Sequence, residues 1–169
     1  MKTDNEEVFV KLYNADEIDE DMLCQCEKVA YENHIDNGGT LKRSIIVGDI
    51  NTEYIVCASD EKGNVLGFAA IREDYCGLND LYIRQIAVST KKSRQGIGTK
   101  IMECLIDSAK NKFDFISADI NKANKVSCNF FVKNLKFKEI PAALMYSKRY
   151  VFDLRKMDQS ENVKQQNKR

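Results

Sequence analysis

Residues Ile83–Met102 read IRQIAVSTKKSRQGIGTKIM, which places an apolar run, a basic loop and two glycines directly before an amphipathic segment. The apolar run is typical of a strand, and apolar residues at helical spacing predict a helix after Gly96. The N–H groups at a helix start point outward and carry the positive end of the helix dipole, so they attract anions. Lys91, Lys92 and Arg94 add positive charge beside them. The stretch therefore predicts a site for a phosphate or pyrophosphate.

Two better-known nucleotide motifs do not fit this loop. A dinucleotide fingerprint needs a third glycine at the position of Ile101. A P-loop needs a GxxxxGK sequence followed by Ser or Thr, which Gly98-Thr99-Lys100 does not match. A phosphate loop of another kind remains, beside the plainer alternative of a tight strand-to-helix turn with solvated Lys and Arg side chains.

The segments on either side predict a mixed α/β sheet. Asp60–Asn64 is a strong turn signal between two apolar runs, which predicts an antiparallel hairpin. The helix after Gly96 stands between two further strands, as in a β-α-β unit. The predicted strands are Val8–Tyr13, Tyr54–Ser59, Val65–Arg72, Leu81–Val88, Phe115–Ile120, Phe137–Ile140 and Tyr146–Leu154.

Helices are predicted in three places. Asn14 and Glu17 have the spacing of a capping box, which predicts a helix that begins there and ends near His34. The segment Thr40–Glu53 fits either a short helix or a loop. The other two predicted helices are Ile97–Phe113 and Lys125–Asn134.

The composition is that of a folded chain without net charge. Of 169 residues, 43% are hydrophobic, which predicts one globular domain, residues 1–155, followed by a polar, disordered tail, residues 156–169. Lys and Arg number 26, as do Asp and Glu, so a nucleic-acid partner is not expected. No signal peptide or membrane span is recognisable, which predicts a cytoplasmic protein without membrane contact.

The six cysteines and the single histidine do not indicate a metal site. The CxxC spacing typical of zinc ligands does not occur, so no metal is expected. Thiols of a cytoplasmic protein stay reduced, and most of these stand at apolar positions typical of small core residues.

With these elements in order, the chain resembles the GNAT superfamily of acyl-CoA-dependent N-acetyltransferases. Ser93–Gly98 matches both glycines of that family's pyrophosphate loop, although Ser93 stands where Gln or Arg is usual, and Arg94 next to it supplies positive charge. Gly63–Ala69 resembles the family's hairpin, and Asn124–Phe131, followed by Phe137-Lys138-Glu139, resembles its fourth helix and next strand. The resemblance spans roughly residues 8–154.

The resemblance implies a single-domain GNAT-like fold, with a mixed, mostly antiparallel sheet, splayed central fourth and fifth strands, and about four flanking helices. It implies acetyl-CoA as co-substrate, with its pantetheine arm between those two strands. The Ile86 N–H would stabilise the oxyanion of the tetrahedral intermediate, which makes Ile86 the catalytic residue. The implied acetyl-CoA-binding residues are Ile86, Ala87, Val88, Ser93, Arg94, Gln95, Gly96, Ile97, Gly98, Thr99, Asn124, Ser127 and Phe131.

Two customary catalytic side chains are missing. Many members carry a Glu base on the fourth strand, where alternation would put residues 80, 82, 84, 86 and 88 on one face. Tyr82 and Arg84 are nearest the thioester there, and Asp80 is about 20 Å from Ile86. Without a carboxylate, a water molecule or a backbone carbonyl can take the proton of the amine, or an acceptor amine of low pKa needs no base.

The Tyr that often protonates the departing thiolate falls at Phe131 or at Val132, because this segment is one residue longer than usual. The customary Gly before Phe137 is Lys136. Tyr146 and Tyr150 are alternative proton donors, or ordinary strand aromatics.

Tyr82 and Arg84 are the predicted acceptor-binding residues. Arg84 either is a solvated edge residue or faces the cleft, where it would suit a carboxylate or phosphate on the acceptor. His34, with Asp36 and Asn37, stands in a region that borders the acceptor pocket in this family, although a lone His in a polar loop is more often only solvated.

Three functions follow from these observations. The first is an enzyme that transfers acetyl from acetyl-CoA to a primary amine of a small molecule or peptide, by direct attack in a ternary complex, as a monomer or homodimer. The second is a degenerate module that binds acyl-CoA with little transfer, which the missing carboxylate and Tyr favour. The third, acetylation of aminoacyl-tRNA, is disfavoured by the neutral charge.

Overall fold

The computed structural model describes residues 7–36 and 51–157. Its strands form one seven-stranded sheet in the order β1-β2-β3-β4-β5-β7-β6. β4 and β5 pair in parallel, whereas β1–β2, β2–β3, β5–β7 and β6–β7 are antiparallel. All seven predicted strands are confirmed, and their bounds are β1 Phe9–Asn14, β2 Tyr54–Ser59, β3 Val65–Glu73, β4 Asp80–Val88, β5 Phe115–Asn121, β6 Lys138–Ile140 and β7 Ser147–Asp153.

The helices are α1 Glu20–Asp36, α2 Ile97–Ala109 and α3 Lys125–Asn129, which continues as a π-helical turn over Phe130–Asn134. Short 3-10 turns precede α1 and α2, at Ala15–Glu17 and Thr90–Lys92. The mixed α/β fold is thus the predicted GNAT-like one. The predictions for Asn37 and for most of the Thr40–Glu53 segment lie outside the described residues.

The predicted start of the first helix is wrong by several residues. The Asn14 N–H does donate to Glu17 Oε2 at 3.2 Å, but this contact closes only a 3-10 turn. Ile18 is extended, with φ −81° and ψ 125°, and interrupts the helix. Asp19 Oδ1 accepts from the Met22 N–H at 2.8 Å and begins α1, because a cap must precede the turn whose N–H groups it satisfies.

The chain divides into two compact units. The first comprises Met1–Arg72 and Arg84–Leu105, and the second comprises Glu73–Ile83 and Ile106–Arg169. In the first unit, α1 buries its apolar face against β2 and β3, with Cys26 and Val29 packed in one cluster with Ile55, Cys57 and Phe68.

The second unit has an aromatic core. The ring of Phe137 lies 5.0 Å from Phe131 and 5.6 Å from Phe152, measured between centroids. Edge-to-face and tilted pairs of this kind add to the burial of apolar area. They hold the π-helical turn against the last strands.

The pairing of β4 with β5 is short. It runs from Asp80 opposite Phe115 to Ile83 opposite Ala118. Within the part of the chain that the structure describes, both strands continue past this point without further pairs. The parallel pairing of the two central strands is therefore confirmed, and their splay stays a prediction.

The remaining sequence predictions concern cysteines, metals and the chain end. All six cysteines are free thiols; Cys26 and Cys57 are buried core residues, but Cys24 is exposed. In residues 7–36 and 51–157 no cluster of three or more potential metal-ligating side chains occurs, and no helix is long and apolar enough to cross a membrane. Of the predicted tail, only Lys156 and Met157 are described, in a helical turn.

Candidate active site

The basic loop reaches α2 through two residues in the left-handed region. Arg94 has φ +62° and Gly96 has φ +78°. The Gly96 carbonyl accepts from the Lys100 N–H at 3.0 Å and so closes the first turn of α2. The N–H groups of the first helical turn then have no acceptor within the helix, and left-handed residues beside them make a concave cradle of N–H donors. The backbone therefore has the form that an anion-binding loop needs.

The side chains around this cradle are positive. Lys91, Arg94 and Lys100 are exposed, and the first turn of α2 contains no acidic residue. A cation beside a helix N-terminus opposes the helix dipole, so this arrangement disfavours the isolated helix. A bound pyrophosphate would relieve that repulsion.

Gly67 on β3 lets α2 lie directly on the sheet. A Cβ atom built at Gly67 would be 3.0 Å from the Ala87 carbonyl oxygen, 3.1 Å from Ile101 Cδ1 and 3.2 Å from Ile97 Cγ2. Ile97 is the first residue of α2, and both isoleucines are buried. This glycine therefore sets how closely the start of α2 approaches the end of β4.

β4 contains one residue too many for a regular strand. The Asp74 N–H donates to the Asp80 carbonyl at 2.7 Å, and the Ser89 N–H donates to the Leu66 carbonyl at 2.8 Å. Between these two hydrogen bonds, the β3 side advances by eight residues, from Leu66 to Asp74, whereas the β4 side advances by nine, from Asp80 to Ser89. A β-bulge in β4 accounts for the extra residue.

The bulge reverses the alternation of β4. Because Ser89 faces β3, the backbone groups of its neighbour Val88 point away from β3. Ala87 faces β3 again, since its carbonyl oxygen is the atom that approaches Gly67. The prediction that residues 80, 82, 84, 86 and 88 share one face is therefore wrong, because it assumed an unbroken strand.

Arg84 is not a solvated edge residue, because β4 lies inside the sheet. Its side chain is half-buried and donates from Nη1 to Thr52 Oγ1 at 3.0 Å. Thr52 itself is only 6% exposed. Of the two sequence alternatives for Arg84, the structure thus excludes the solvated edge.

In the second unit, Tyr82 belongs to a polar network. Its hydroxyl donates to Asp119 Oδ2 at 3.4 Å, and Arg149 donates to both oxygens of the same carboxylate, at 2.7 and 2.8 Å. The ring of Tyr75 lies 4.4 Å from that of Tyr82. Burial, followed by the negative charge of Asp119, raises the pKa of Tyr82. Tyr82 is therefore a neutral hydroxyl whose proton is directed at Asp119.

Asp80 is fully buried and serves the fold. Its carboxylate accepts from the Ser117 hydroxyl and, at 3.3 Å, from the Cys76 N–H. Burial is the main reason that the pKa of the Cys76 thiol rises to about 11, although a contact with Ser117 opposes the rise. Neither group is placed as a general base for an amine.

α3 begins at Asn124, whose Oδ1 accepts from the Ser127 N–H at 3.0 Å. Asn124 is exposed and Ser127 is half-buried. Phe131, in the π-helical turn, is only 2% exposed, whereas Val132 is 41% exposed. A π-helical turn holds one residue more than an α-helical turn, which explains why this segment is one residue longer than usual.

Lys136, which replaces the customary glycine, has φ +63°. This left-handed conformation is one that glycine adopts at lower cost.

Of the two alternative proton donors, Tyr146 is exposed and Tyr150 is buried. The Tyr150 hydroxyl donates to Cys128 Sγ on α3 at 3.9 Å. Burial, followed by this contact, raises the pKa of Tyr150 to about 12. Tyr150 therefore keeps its proton at neutral pH and directs it toward α3.

Asn33 was not among the predicted site residues. Its Nδ2 donates to the Val88 carbonyl at 2.6 Å, a contact that spans 55 residues of sequence. No pattern of neighbouring residues in the sequence predicts a contact over such a separation. The roles of the predicted residues toward acetyl-CoA and acceptor remain predictions, as does His34, whose side chain lies outside the described part.

Solved acetyltransferases share this fold. A GNAT acetyltransferase from Staphylococcus aureus Mu50 is 15% identical, with a TM-score of 0.68, over 86% of this chain and 99% of that one. The diaminobutyrate acetyltransferase EctA from Paenibacillus lautus, solved with its substrate L-2,4-diaminobutyric acid and coenzyme A, is 18% identical, with a TM-score of 0.60, over 88% and 95%. The ribosomal-protein-S18-alanine N-acetyltransferase from Escherichia coli is 14% identical, with a TM-score of 0.55, over 85% and 91%.

The family follows from the sequence match. A model of the acetyltransferase (GNAT) family matches residues 15–137, most of the chain. The chain belongs to the GNAT acetyltransferase family. A search of the curated proteins gave no match.

Proposed function

We propose that the protein transfers the acetyl group of acetyl-CoA to a primary amine, by direct attack of the amine on the thioester in a ternary complex. The single observation that carries the proposal is the end of β4. The bulge turns the backbone of Val88 away from β3, beyond the point where the pairing with β5 stops. Family membership supplies the reaction class.

Acetyl-CoA fits what the first unit offers. Backbone donors at the end of β4 suit the amides of the pantetheine arm, and the left-handed loop with its exposed cations suits the pyrophosphate. When bound, acetyl-CoA supplies an activated acetyl thioester. The chain's own contribution is to bind the pyrophosphate with residues 93–99 and to orient the arm along Ile86–Val88.

Ile86 supplies the electrostatic part of the mechanism. It stands two residues before Val88, so alternation turns its N–H the same way. As the amine attacks, the C–N bond forms and the carbonyl oxygen gains negative charge, which this N–H stabilises. Removing one such donor typically costs about 3–4 kcal/mol of transition-state stabilisation. The side chain of Ile86 has no part in this step.

We propose that proton transfer from the amine does not use a carboxylate side chain. The buried Asp80 and the Arg149-bound Asp119 are already engaged, so we propose that the amine attacks in its neutral form and loses its proton to water. The carbon–sulfur bond then breaks. Thiols are acidic enough for the thiolate to leave without a side-chain acid, and it then takes up a proton from water.

The acceptor is proposed to carry an anion as well as its amine. The Arg84 guanidinium is half-buried on β4 and carries a permanent positive charge on a planar group, which suits a carboxylate or phosphate. The diaminobutyrate bound by EctA is an amine of this kind. We expect Arg84→Ala to raise the KM for an anionic acceptor by about ten- to a hundredfold with CoA affinity unchanged. Spermidine as the best acceptor in an unbiased amine panel would contradict this role.

The loop is tested by CoA binding. CoA and acetyl-CoA should raise the melting temperature, because a ligand that binds only the folded state stabilises it. Gly96→Asp and Gly98→Asp should abolish the rise, since each puts negative charge where the pyrophosphate lies. Gly63→Asp is the matched control for Gly96→Asp, because Gly63 has φ +81°, open space around it and no place in this loop. Equal CoA affinity in all variants would contradict the proposal that this loop binds the pyrophosphate.

The alternative, an acyl-CoA-binding module without transfer, is favoured by the missing carboxylate and the buried Phe131. Release of free CoA thiol in the presence of an amine panel separates the two. Tight binding of acetyl-CoA with no amine-dependent thiol release would establish the alternative.

A further inference from the structure

We propose that Asn33 of α1 is a positioning residue for acetyl-CoA binding, a role that rests on the proposed function. Its Nδ2 donates to two carbonyls, Val29 at 3.0 Å within α1 and Val88 at 2.6 Å at the end of β4. The side chain thus joins a helix to the last residue of the strand whose backbone is proposed to hold the pantetheine arm.

The geometry leaves one orientation for this amide. Both partners are carbonyl oxygens, which only accept hydrogen bonds, so the NH2 group and not the amide oxygen must face them. One hydrogen goes to each carbonyl. The bond within α1 also restrains the side chain, so the bond to Val88 costs little additional conformational freedom.

The Val88 carbonyl needs this donor for a reason that lies in the sheet. It points away from β3, and the pairing of β4 with β5 ends five residues earlier, at Ile83. In a continuing sheet, the next strand would donate to this carbonyl. Asn33 takes that place from α1, so the carbonyl is satisfied while the Val88 N–H on the same side stays available for a ligand.

The neighbouring residue is held on both sides as well. The Ser89 N–H donates to Leu66 on β3, and the Ser89 hydroxyl donates to Glu32 Oε2 of α1 at 3.3 Å. The peptide plane between Val88 and Ser89 therefore cannot rotate freely. The Val88 N–H belongs to the preceding peptide plane, which is joined to this one at the Val88 Cα. Holding the Val88 carbonyl therefore limits the backbone rotation at Val88 and so prepares the strand end for the arm.

α1 contains a matched contact that does not touch the site. Gln25 Oε1 accepts from the Val65 N–H at 2.9 Å, so a second amide of the same helix also bonds the backbone of a strand. Val65 begins β3, at the hairpin. Gln25→Ala thus removes a helix-to-strand contact of the same kind without changing the end of β4.

The test compares CoA dissociation constants by calorimetry and acetyl-CoA KM values. We expect Asn33→Ala to raise both about five- to twentyfold, with kcat changed less than about threefold, since the contact orders the ground-state complex. Asn33→Asp should bind more weakly still, because its carboxylate would face two carbonyls. Gln25→Ala should lower the melting temperature about as much as Asn33→Ala and leave CoA binding unchanged.

Two results would overturn the inference alone. One is wild-type CoA affinity in both Asn33 variants, and the other is an equal loss of affinity in Gln25→Ala, which would mean that only the stability of α1 matters. Failure of the wild-type protein to bind CoA would overturn the proposed function and this inference with it.

Discussion

The two halves of β4 find their hydrogen-bond partners in different parts of the molecule. Over Asp80–Ile83 the strand pairs with β5, and the buried Asp80 is bonded to Ser117 on that neighbour. Over Arg84–Val88 the pairing with β5 ends, and side chains take over: Arg84 bonds Thr52, and α1 bonds Val88. The first half stabilises the second unit, whereas the second half carries the backbone groups that we propose bind acetyl-CoA.

The bulge allows β4 to pair within the sheet at one end and to direct backbone groups away from β3 at the other. A regular strand would direct the backbone of Val88 toward β3, where it would be used up in the sheet. One extra residue turns it outward. In the proposed mode of binding, acetyl-CoA uses backbone donors that do not pair with β3, and contacts from α1 offset the loss of pairing.

The largest expected effect is in the paired half. Asp80→Ala removes the carboxylate that accepts from the fully buried Ser117 hydroxyl and from the Cys76 N–H, and should lower the free energy of unfolding by about 2–4 kcal/mol. Urea denaturation measures this. CoA affinity of the folded fraction should not change. Asp107→Ala, which removes an exposed carboxylate, is the control and should cost under about 1 kcal/mol. Equal stability of the two variants would contradict the division of β4.

An intermediate effect is expected where the second half meets α2. Gly67→Ala puts a methyl group against Ala87, Ile97 and Ile101, and should cost about 1–3 kcal/mol and also weaken CoA binding, because the start of α2 must shift. Ile101→Val removes the Cδ1 atom of that contact. The double variant should therefore lose less stability than the two single variants together, as a double-mutant cycle would show. Simple additivity would mean that the methyl group is accommodated elsewhere.

The smallest effect leaves the fold untouched and concerns the Cys76 thiol beside Asp80. Burial disfavours the thiolate and raises the pKa of Cys76 to about 11, so at pH 8 roughly one thiol in a thousand is ionised. Labelling by iodoacetamide should be slow and should accelerate about tenfold per pH unit toward that pKa. Peptide mass mapping distinguishes it from the exposed Cys24, which should react first. Equal rates at pH 8 would show that the Cys76 thiol, in the segment between β3 and β4, is open to solvent.

Most of the fold was predictable because its signals are local. The hairpin around Asp60–Asn64, the β-α-β unit and α2 follow from apolar periodicity and turn residues within short windows. The start of α1 was predicted wrongly because two acceptable caps, Asn14 and Asp19, stand five residues apart. The extended backbone of Ile18 between them favours the later one.

The amino-acid sequence by itself determined the element order, the basic glycine-containing loop before α2, and the family, since each depends on neighbouring residues. Only the tertiary structure decided which backbone groups of β4 point away from β3. The bulge is visible only when β3 and β4 are paired, and the bond from Asn33 to Val88 joins residues 55 apart. Hydrogen-bond direction in a sheet is a property of two strands together, so no pattern along one strand can state it.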